Sequence, residues 1–198
     1  TFKFFPKITN TVSHFRRLIN VTDVVTDYAT SVLNFGDQLG MVFLQLHDNF
    51  KPKDFERVEK FVNDWPKEVP LAIEVRSAEW FEEENFEKFS KLLEENNIAN
   101  IIVDTAGRRD MLHMRLTSDT AFVRYVGANA DSDYARLDDW LERIKLWKEE
   151  GLKNLYFFVH QNVELASPLL SAYFIENVNK AFGTEIHVPV MAETKTLF

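Results

Sequence analysis

Two residues of opposite charge, Glu74 and Arg76, stand two positions apart in a short apolar run of the chain. Alternate residues of a β-strand project to the same face, so the two side chains are expected to lie side by side. Burying either charge alone would be costly, whereas an ion pair keeps Glu74 ionised and orients the guanidinium of Arg76. Such a pair is either a structural ion pair that fills the interior or part of a functional site. The two residues alone leave both interpretations open.

Polar residues also stand at or just after the ends of the other apolar runs. They are Lys7, His14, Gln45, His47, Asp104, Arg124, His160, Gln161 and Asn162. Parallel strands bring their carboxyl ends to one edge of a sheet, which is where α/β barrels carry their active sites. The sequence therefore predicts a single polar mouth with a local excess of positive charge.

The types of these residues suggest hydrolysis of a substrate that carries a phosphate or a carboxylate. The candidate catalytic residues are Glu74, Asp104, His14 and His160. The candidate ligand-binding residues are Lys7, Gln45, Arg76, Trp80, Arg124 and Gln161. In this hypothesis an acid serves as general base and a histidine moves protons, while the lysine and arginines hold the anion. Trp80 would stack on a sugar or a base at the rim of the mouth.

Two other functions fit the same residues. A binding protein without chemistry could hold a nucleotide, a nucleic-acid end or another acidic ligand in the same basic cleft. Alternatively, the polar residues only satisfy the strand ends, and the outer surface recruits a partner. In the first case a ligand raises the melting temperature without being converted. In the second case removal of Arg76 lowers stability and changes no ligand response.

Metal and covalent chemistry receive little support from the sequence. Glu74, Asp104 and His160 are the residue types of an O/O/N metal site, but no local ligand motif such as H-E-x-x-H accompanies them. No G-x-S-x-G motif for a nucleophilic serine is present, and the chain has no cysteine. We therefore predict no metal site, and the sequence indicates no particular cofactor.

Composition and charge limit the class of protein. The net charge of −8 and the pI near 5.2 argue against general binding to nucleic acid. No apolar stretch approaches the roughly 18 residues of a membrane span, and no signal-peptide pattern is seen. These features favour a cytoplasmic protein that does not associate with membranes.

Six short apolar runs alternate with stretches of helical periodicity, which indicates an α/β fold with parallel strands. The runs are Phe2–Ile8, Gly40–Leu46, Leu71–Arg76, Asn100–Asp104, Ala121–Val126 and Asn154–His160. Between them, apolar stripes at helical spacing predict helices that cover the sheet. A weak stripe lies between residues 21 and 39, and strong ones include Phe55 to Val62 and Leu137 to Trp147.

This alternation fits either an open doubly wound sheet or a (β/α) barrel. The chain has only six glycines and no Gly-rich phosphate turn, which favours a TIM-like (β/α) barrel formed as one domain by residues 1–198. Six units are two fewer than the eight of a complete barrel, and the chain begins inside an apolar run rather than with Met. We expect the barrel to lack one or two N-terminal βα units in this chain.

Several stretches in their order along the chain resemble the YecE-like family of TIM-barrel-like proteins. They are Phe2–Phe4, Lys7, Ser13–His14, Phe43–Leu46, Glu74–Arg76, Glu79–Phe81, Asp104–Asp110, Phe122–Arg124, Asp138–Trp140 and Tyr156–Gln161. The resemblance extends from about Phe2 to about Val188 and implies a barrel fold without implying a reaction. It also implies that a recurrent polar cleft is formed by Lys7, His14, Gln45, Glu74, Arg76, Trp80, Asp104 and Arg124.

The chain departs from the family pattern at three places. Many relatives have Pro at the position of His47 and His at the position of Ser77, and several have Asn-Asn at the position of His160-Gln161. A ligand contact made by that Asn-Asn pair in relatives would therefore differ here. The resemblance also supports the expected truncation, because relatives carry an additional Gly- and Trp-containing N-terminal segment and an acidic second strand.

Overall fold

A computed structural model describes residues 2–190 of the chain, which contain five parallel strands. The strands are β1 (Val42–Gln45), β2 (Leu71–Glu74), β3 (Ala99–Thr105), β4 (Thr120–Gly127) and β5 (Asn154–Gln161). Their order in the sheet is the same as their order along the chain, and every neighbouring pair is parallel. An open doubly wound sheet would reverse its strand order, so this order is that of a singly wound sheet. The predicted α/β class is confirmed.

The segment predicted as the first strand, Phe2–Ile8, lies beside β1 but does not form a full strand. It makes two isolated parallel bridges, from Phe4 to Leu39 and from Lys7 to Phe43. Pro6 stands between them, and its nitrogen cannot donate a hydrogen bond to the sheet. Its carbonyl oxygen accepts from the Phe43 amide at 3.0 Å. The predicted strand is therefore wrong as a continuous element, although the segment occupies the place of an edge strand.

Helices connect the strands and bury the apolar stripes seen in the sequence. They are α1 (Thr22–Leu33), α2 (Phe55–Asp64), α3 (Glu83–Glu95), α4 (Ser132–Glu149) and α5 (Ser167–Phe182). The stripe of α2, for example, buries Phe55, Val58, Phe61 and Val62. Gly183 ends α5 with a φ of 64°, a left-handed conformation that favours glycine. Within residues 2–190, no helix combines the length and the apolar character that crossing a bilayer demands.

The sheet curls strongly, so that its two edges approach each other. The ring of Phe5, at the β1 edge, lies 4.7 Å from that of Tyr156 and 5.0 Å from that of Phe158 in β5. Six strand positions in a flat sheet, about 4.8 Å apart, would separate these edges by roughly 24 Å. The inner surface is thus a packed aromatic layer, which explains part of the high phenylalanine content.

The two faces of each strand enter different cores. In β4 and β5 the inward residues include Phe122 and Phe158, whose rings stack at 4.8 Å. The outward residues Val123 and Tyr125 pack instead under α4 and α5. In β3, Ile101 and Val103 belong to the inner core, whereas Ile102 belongs to the outer core. This alternation decides which polar side chains can meet at the carboxyl ends of the strands.

Candidate functional site

A chain of hydrogen bonds joins the inward polar residues at the carboxyl ends of the first strands. Lys7 Nζ donates to Gln45 Oε1 at 2.8 Å, and Gln45 Nε2 donates to Glu74 Oε1 at 2.8 Å. Gln45 and Glu74 are partners in the register of β1 and β2, which places their side chains next to each other. The amide of Gln45 therefore connects a lysine to a carboxylate that are themselves separated by one strand.

Glu74 is the centre of the group and is almost completely buried, with 1% of its side chain exposed. Arg124 Nη1 donates to Glu74 Oε2, and this contact joins β4 to β2 across the interior. Arg76 Nε lies 3.6 Å from Glu74 Oε1 and 3.0 Å from Asp48 Oδ1. The predicted proximity of Glu74 and Arg76 is confirmed, but Arg124 is the closer partner of the carboxylate.

The group carries more positive than negative charge. Lys7, Arg76 and Arg124 contribute three positive charges, and Glu74 and Asp48 contribute two negative ones, which leaves a net charge of about +1. The pKa of Lys7 is lowered by burial and by the nearby Arg124, while Glu74 opposes this shift. A lysine whose pKa is lowered by other cations lies where an added anion would be stabilised.

Two histidines border this group. The ring centroids of His14 and His47 are 5.2 Å apart in an edge-on arrangement. The pKa of His14 is lowered by burial and then by His47, Lys7 and Arg76, so its ring is neutral near pH 7. His14 Nδ1 lies 2.7 Å from Ser13 Oγ, which in turn donates to the carbonyl oxygen of Thr9 at 3.3 Å. His47 was expected at the mouth, because it stands two residues after Gln45, but it was not among the candidate catalytic or ligand-binding residues.

Asp104 does not belong to this group, and the prediction that it shares the mouth is wrong. Its carboxylate accepts from Arg136 Nη2 at 2.6 Å and from Trp140 Nε1 at 2.8 Å, both on α4. The inward positions of β3 are taken by Ile101 and Val103, so Asp104 points to the opposite face of the sheet. Glu74 and Asp104 therefore cannot bind one metal ion together, and residues 2–190 contain no group of three or more His, Cys, Asp or Glu placed to hold one.

Trp80 is a core residue, and the expectation that it stacks on a ligand at the rim is also wrong. Its side chain is fully buried, and its indole Nε1 donates to the carbonyl oxygen of Phe50 at 2.8 Å. Its ring packs 5.5 Å from that of Phe89 on α3. Trp80 thus anchors the short helical turn Ala78–Phe81 on α3 instead of lining the mouth.

The two candidates at the end of β5 make their polar contacts outside the group. His160 Nδ1 lies 3.3 Å from Glu164 Oε1, and no hydrogen bond or ion pair in the described part of the chain links it to Glu74. Gln161 Oε1 accepts from the Asn129 amide at 3.0 Å, and its side chain is buried. Gln161 therefore stabilises the turn after β4, and its expected contact with a ligand stays a prediction.

A recess of about 480 Å³ lies at the amino ends of the strands, far from the polar group. Its lining includes Trp65, Asn97, Asp119 and Tyr156. None of the predicted catalytic or ligand-binding residues lines it. The charged group at the carboxyl ends therefore remains the stronger candidate, because it is where buried charge converges.

Comparison with known proteins identifies the family of the chain. Residues 1–193 match the model of a family described as protein of unknown function DUF72. The chain belongs to this family. It is 24% identical over 217 aligned residues to the UPF0759 protein YecE of Escherichia coli K12, covering 100% of this chain and 79% of that protein. The resemblance to the YecE-like family is therefore confirmed.

Solved structures of DUF72 proteins share the fold. A DUF72 protein of Thermotoga maritima superposes with a TM-score of 0.74 at 21% identity, covering 90% of this chain and 74% of the other. A DUF72 protein of Enterococcus faecalis superposes with a TM-score of 0.73 at 16% identity, covering 89% of this chain and 78% of the other. At such identities the agreement shows the fold and carries no information on a reaction.

Proposed function

We propose that the chain binds a small anionic substrate, carrying a phosphate or a carboxylate, at the mouth formed by Lys7, Arg76 and Arg124, and hydrolyses it. The observation that carries this proposal is the convergence of two arginines on one buried carboxylate, Glu74, to which Lys7 is linked through Gln45, with a net positive charge left over. Arginine and lysine side chains so placed can hold an oxyanion by charge-assisted hydrogen bonds.

Glu74 is better suited to position the cations than to act as general base. Its Oε1 accepts from Gln45 and its Oε2 accepts from Arg124, so both oxygens already have donors. A general base needs a free lone pair directed at the proton that it removes. Glu74 therefore fixes the arginines in the orientation that binds the anion.

In this mechanism His14 is the general base. The hydroxyl hydrogen of Ser13 is donated to the carbonyl oxygen of Thr9. Ser13 Oγ therefore accepts the hydrogen bond from His14 Nδ1–H, and Nε2 of His14 is left unprotonated. Nε2 would take a proton from a water molecule, whose oxygen bonds to the phosphorus or carbonyl carbon of the substrate. The bond to the leaving oxygen breaks with its electron pair, and that oxygen takes the proton from His14 Nε2, which restores the neutral ring. The arginines would stabilise the charge that develops in the transition state.

The proposed anion site can be tested by comparing two arginines in nearly the same setting. The side chains of Arg76 and Arg57 are 34% and 36% exposed, and each pairs with one aspartate, at 3.0 and 3.1 Å. We expect inorganic phosphate or AMP to raise the melting temperature of the wild type and of Arg57→Ala, but not of Arg76→Ala. An equal rise in both variants would refute the anion site.

A binding protein without catalysis is the second candidate, and the full occupation of the Glu74 oxygens favours it. The variant His14→Ala separates the two functions. For a hydrolase, phosphomonoester and carboxylic-ester substrates should be converted by the wild type and not by this variant, while both bind the anion. If phosphate binds and no ester is converted by the wild type, the catalytic part of the proposal fails and binding remains.

We also propose that the curled sheet is part of a TIM-like (β/α) barrel that forms a single domain. The singly wound strand order and the contact of Phe5 with β5 support this proposal. A cytoplasmic location is proposed on one sequence feature, the lack of cysteine and hence of any disulfide, which fits a reducing compartment.

A further inference from the structure

A small recess opens on the outer side of the sheet, between α4 and the connection from β3 to β4. Its volume is about 210 Å³, and Leu112, Met114 and Trp140 form its apolar walls. Arg109 lines it from the connection, and Arg143 lines it from α4. Arg136, Trp140 and Arg143 are spaced by four and three residues on α4, so they share one face of the helix. The recess therefore combines an apolar body with guanidinium groups.

The bottom of the recess is electrostatically satisfied. Asp104 accepts from Arg136 and from Trp140, one on each carboxylate oxygen, and its side chain is only 2% exposed. The guanidinium of Arg136 also lies over the ring of Tyr125, at 4.4 Å from its centroid. Arg136 also lies 3.3 Å from the buried Asp133, so Asp104, Arg136 and Asp133 together form a rigid base that is fixed by several contacts.

The two arginines nearer to solvent lack a comparable partner. Arg143 makes no ion pair or side-chain hydrogen bond within residues 2–190, and Arg109 only approaches the already paired Asp104, at 3.7 Å. Asp139 is the other acid of the lining, and it too forms no ion pair in that part of the chain. The three arginines are balanced by Asp104, Asp139 and the buried Asp133 that pairs with Arg136, so the favourable groups for an anion are Arg109 and Arg143 and not a net charge of the recess.

We infer that this recess is a second binding site, for a small organic anion that has one oxyanion group on a short apolar body. The oxyanion would lie between Arg109 and Arg143, and the body would pack against Leu112, Met114 and Trp140. This site is independent of the proposed function. It opens on the outer face of the sheet, whereas Glu74 and its cations face the interior.

The indole N–H of Trp140 provides a reporter at the bottom of the site, because it donates to Asp104. The chain has four tryptophans, so indole ¹⁵N–¹H spectra contain few signals, and Trp140→Phe assigns the one that matters. We expect titration with butyrate or butyl phosphate to shift the Trp140 signal to saturation. Trp80, buried against α3 in a separate hydrophobic cluster, serves as an internal reference.

Variants decide whether the shift reports the proposed site. Arg143→Ala should weaken the apparent affinity at least about tenfold, equivalent to roughly 1.4 kcal/mol. Lys145→Ala is the matched control, because it removes a cation two residues away on the same helix that already pairs with Glu142. Arg76→Ala should leave the Trp140 shift unchanged, because that residue belongs to the interior group.

The outcomes separate the possible ligands and the failure of the inference. If the Trp140 shift saturates with both butyrate and butyl phosphate, the site binds carboxylates and phosphates. If the shift saturates with only one probe, that probe identifies the oxyanion group that the site prefers. Absence of any Trp140 shift with both probes overturns the inference. An equal affinity in wild type and Arg143→Ala overturns it as well, since the shift would then arise elsewhere.

Discussion

Glu74 and Asp104 are both buried carboxylates at the carboxyl ends of neighbouring parallel strands, yet they lie in different environments. Glu74 faces the interior, where Lys7 approaches through Gln45 and where Arg76 and Arg124 face the same carboxylate. Asp104 faces α4, where one arginine and one indole satisfy it. The difference arises from strand alternation, because a shift of one residue moves a side chain to the other face. A carboxylate at a strand end is therefore not by itself evidence for a shared site.

The largest expected effect is on stability and concerns the interior carboxylate. Glu74→Ala leaves Lys7, Arg76 and Arg124 close together without a central counter-charge. Removing one partner of a buried ion pair typically costs about 3–5 kcal/mol, and we expect the free energy of unfolding in urea to fall by about that amount. Glu79→Ala, which removes a half-exposed glutamate paired with Lys51, is the control and should change the free energy of unfolding by less than about 1 kcal/mol. Similar losses in both variants would contradict the central role of Glu74.

The outer carboxylate should affect stability but not the interior site. Asp104→Asn keeps one acceptor for Arg136 but directs an amide N–H at the indole N–H of Trp140. We expect a loss of about 2 kcal/mol in the free energy of unfolding, because the indole N–H loses its acceptor and Arg136 keeps only one of its two carboxylate partners, Asp133 at 3.3 Å. Phosphate, which we propose binds at the interior group, should still raise the melting temperature of Asp104→Asn. Its loss would indicate that the two carboxylates are coupled across the sheet.

The outer side of the molecule should also be the more sensitive to acid. His113, in the connection from β3 to β4, packs 4.7 Å from the ring of Phe86, and burial lowers its pKa to about 4. Its pKa in the unfolded chain is about 6.5, so the unfolded state takes up a proton first as the pH falls. The stability contributed by the neutral ring is complete above about pH 6.5 and is lost as the pH falls towards 4.

Replacing His113 by Leu should remove part of this pH dependence. We expect the free energy of unfolding of the wild type to fall by about 2–3 kcal/mol more than that of His113→Leu between pH 7 and pH 4. Urea titrations of both proteins across this pH range measure the difference. Parallel pH profiles would show that the His113 ring is protonated without cost in the fold.

Strand-end positions allowed much of the interior group to be predicted from the sequence. Glu74 and Arg76 were correctly expected on one face, because the spacing of two is a property of any strand. Asp104 was misplaced because Ile101, Ile102 and Val103 are apolar on both faces, so the pattern of β3 does not distinguish inside from outside. Only the register with the neighbouring strands and the helix above them makes that distinction.

Residues beyond the strand ends were harder to predict. Trp80 lies in a short helical turn after β2, and its burial depends on how that turn packs on α3. Gln161 was predicted to bind a ligand because it ends a strand. In the structure its side-chain oxygen accepts a hydrogen bond from the backbone amide of Asn129 in the turn after β4. The proximity of His47 to His14 depends on the path of the segment that includes the π-helical turn Thr11–Phe15, which no spacing rule specifies.

The most direct test of the account compares the arginine partners of the two carboxylates. Phosphate affinity at the interior mouth can be measured by NMR from the shift of the His14 ring signals, which His14→Ala assigns. The titration is carried out on the wild type, on Arg124→Gln and on Arg136→Gln. We predict that Arg124→Gln weakens the affinity about tenfold, the loss of one charge-assisted contact, while Arg136→Gln leaves it unchanged. An unchanged affinity in Arg124→Gln, or an equal loss in Arg136→Gln, would contradict an anion site centred on Glu74.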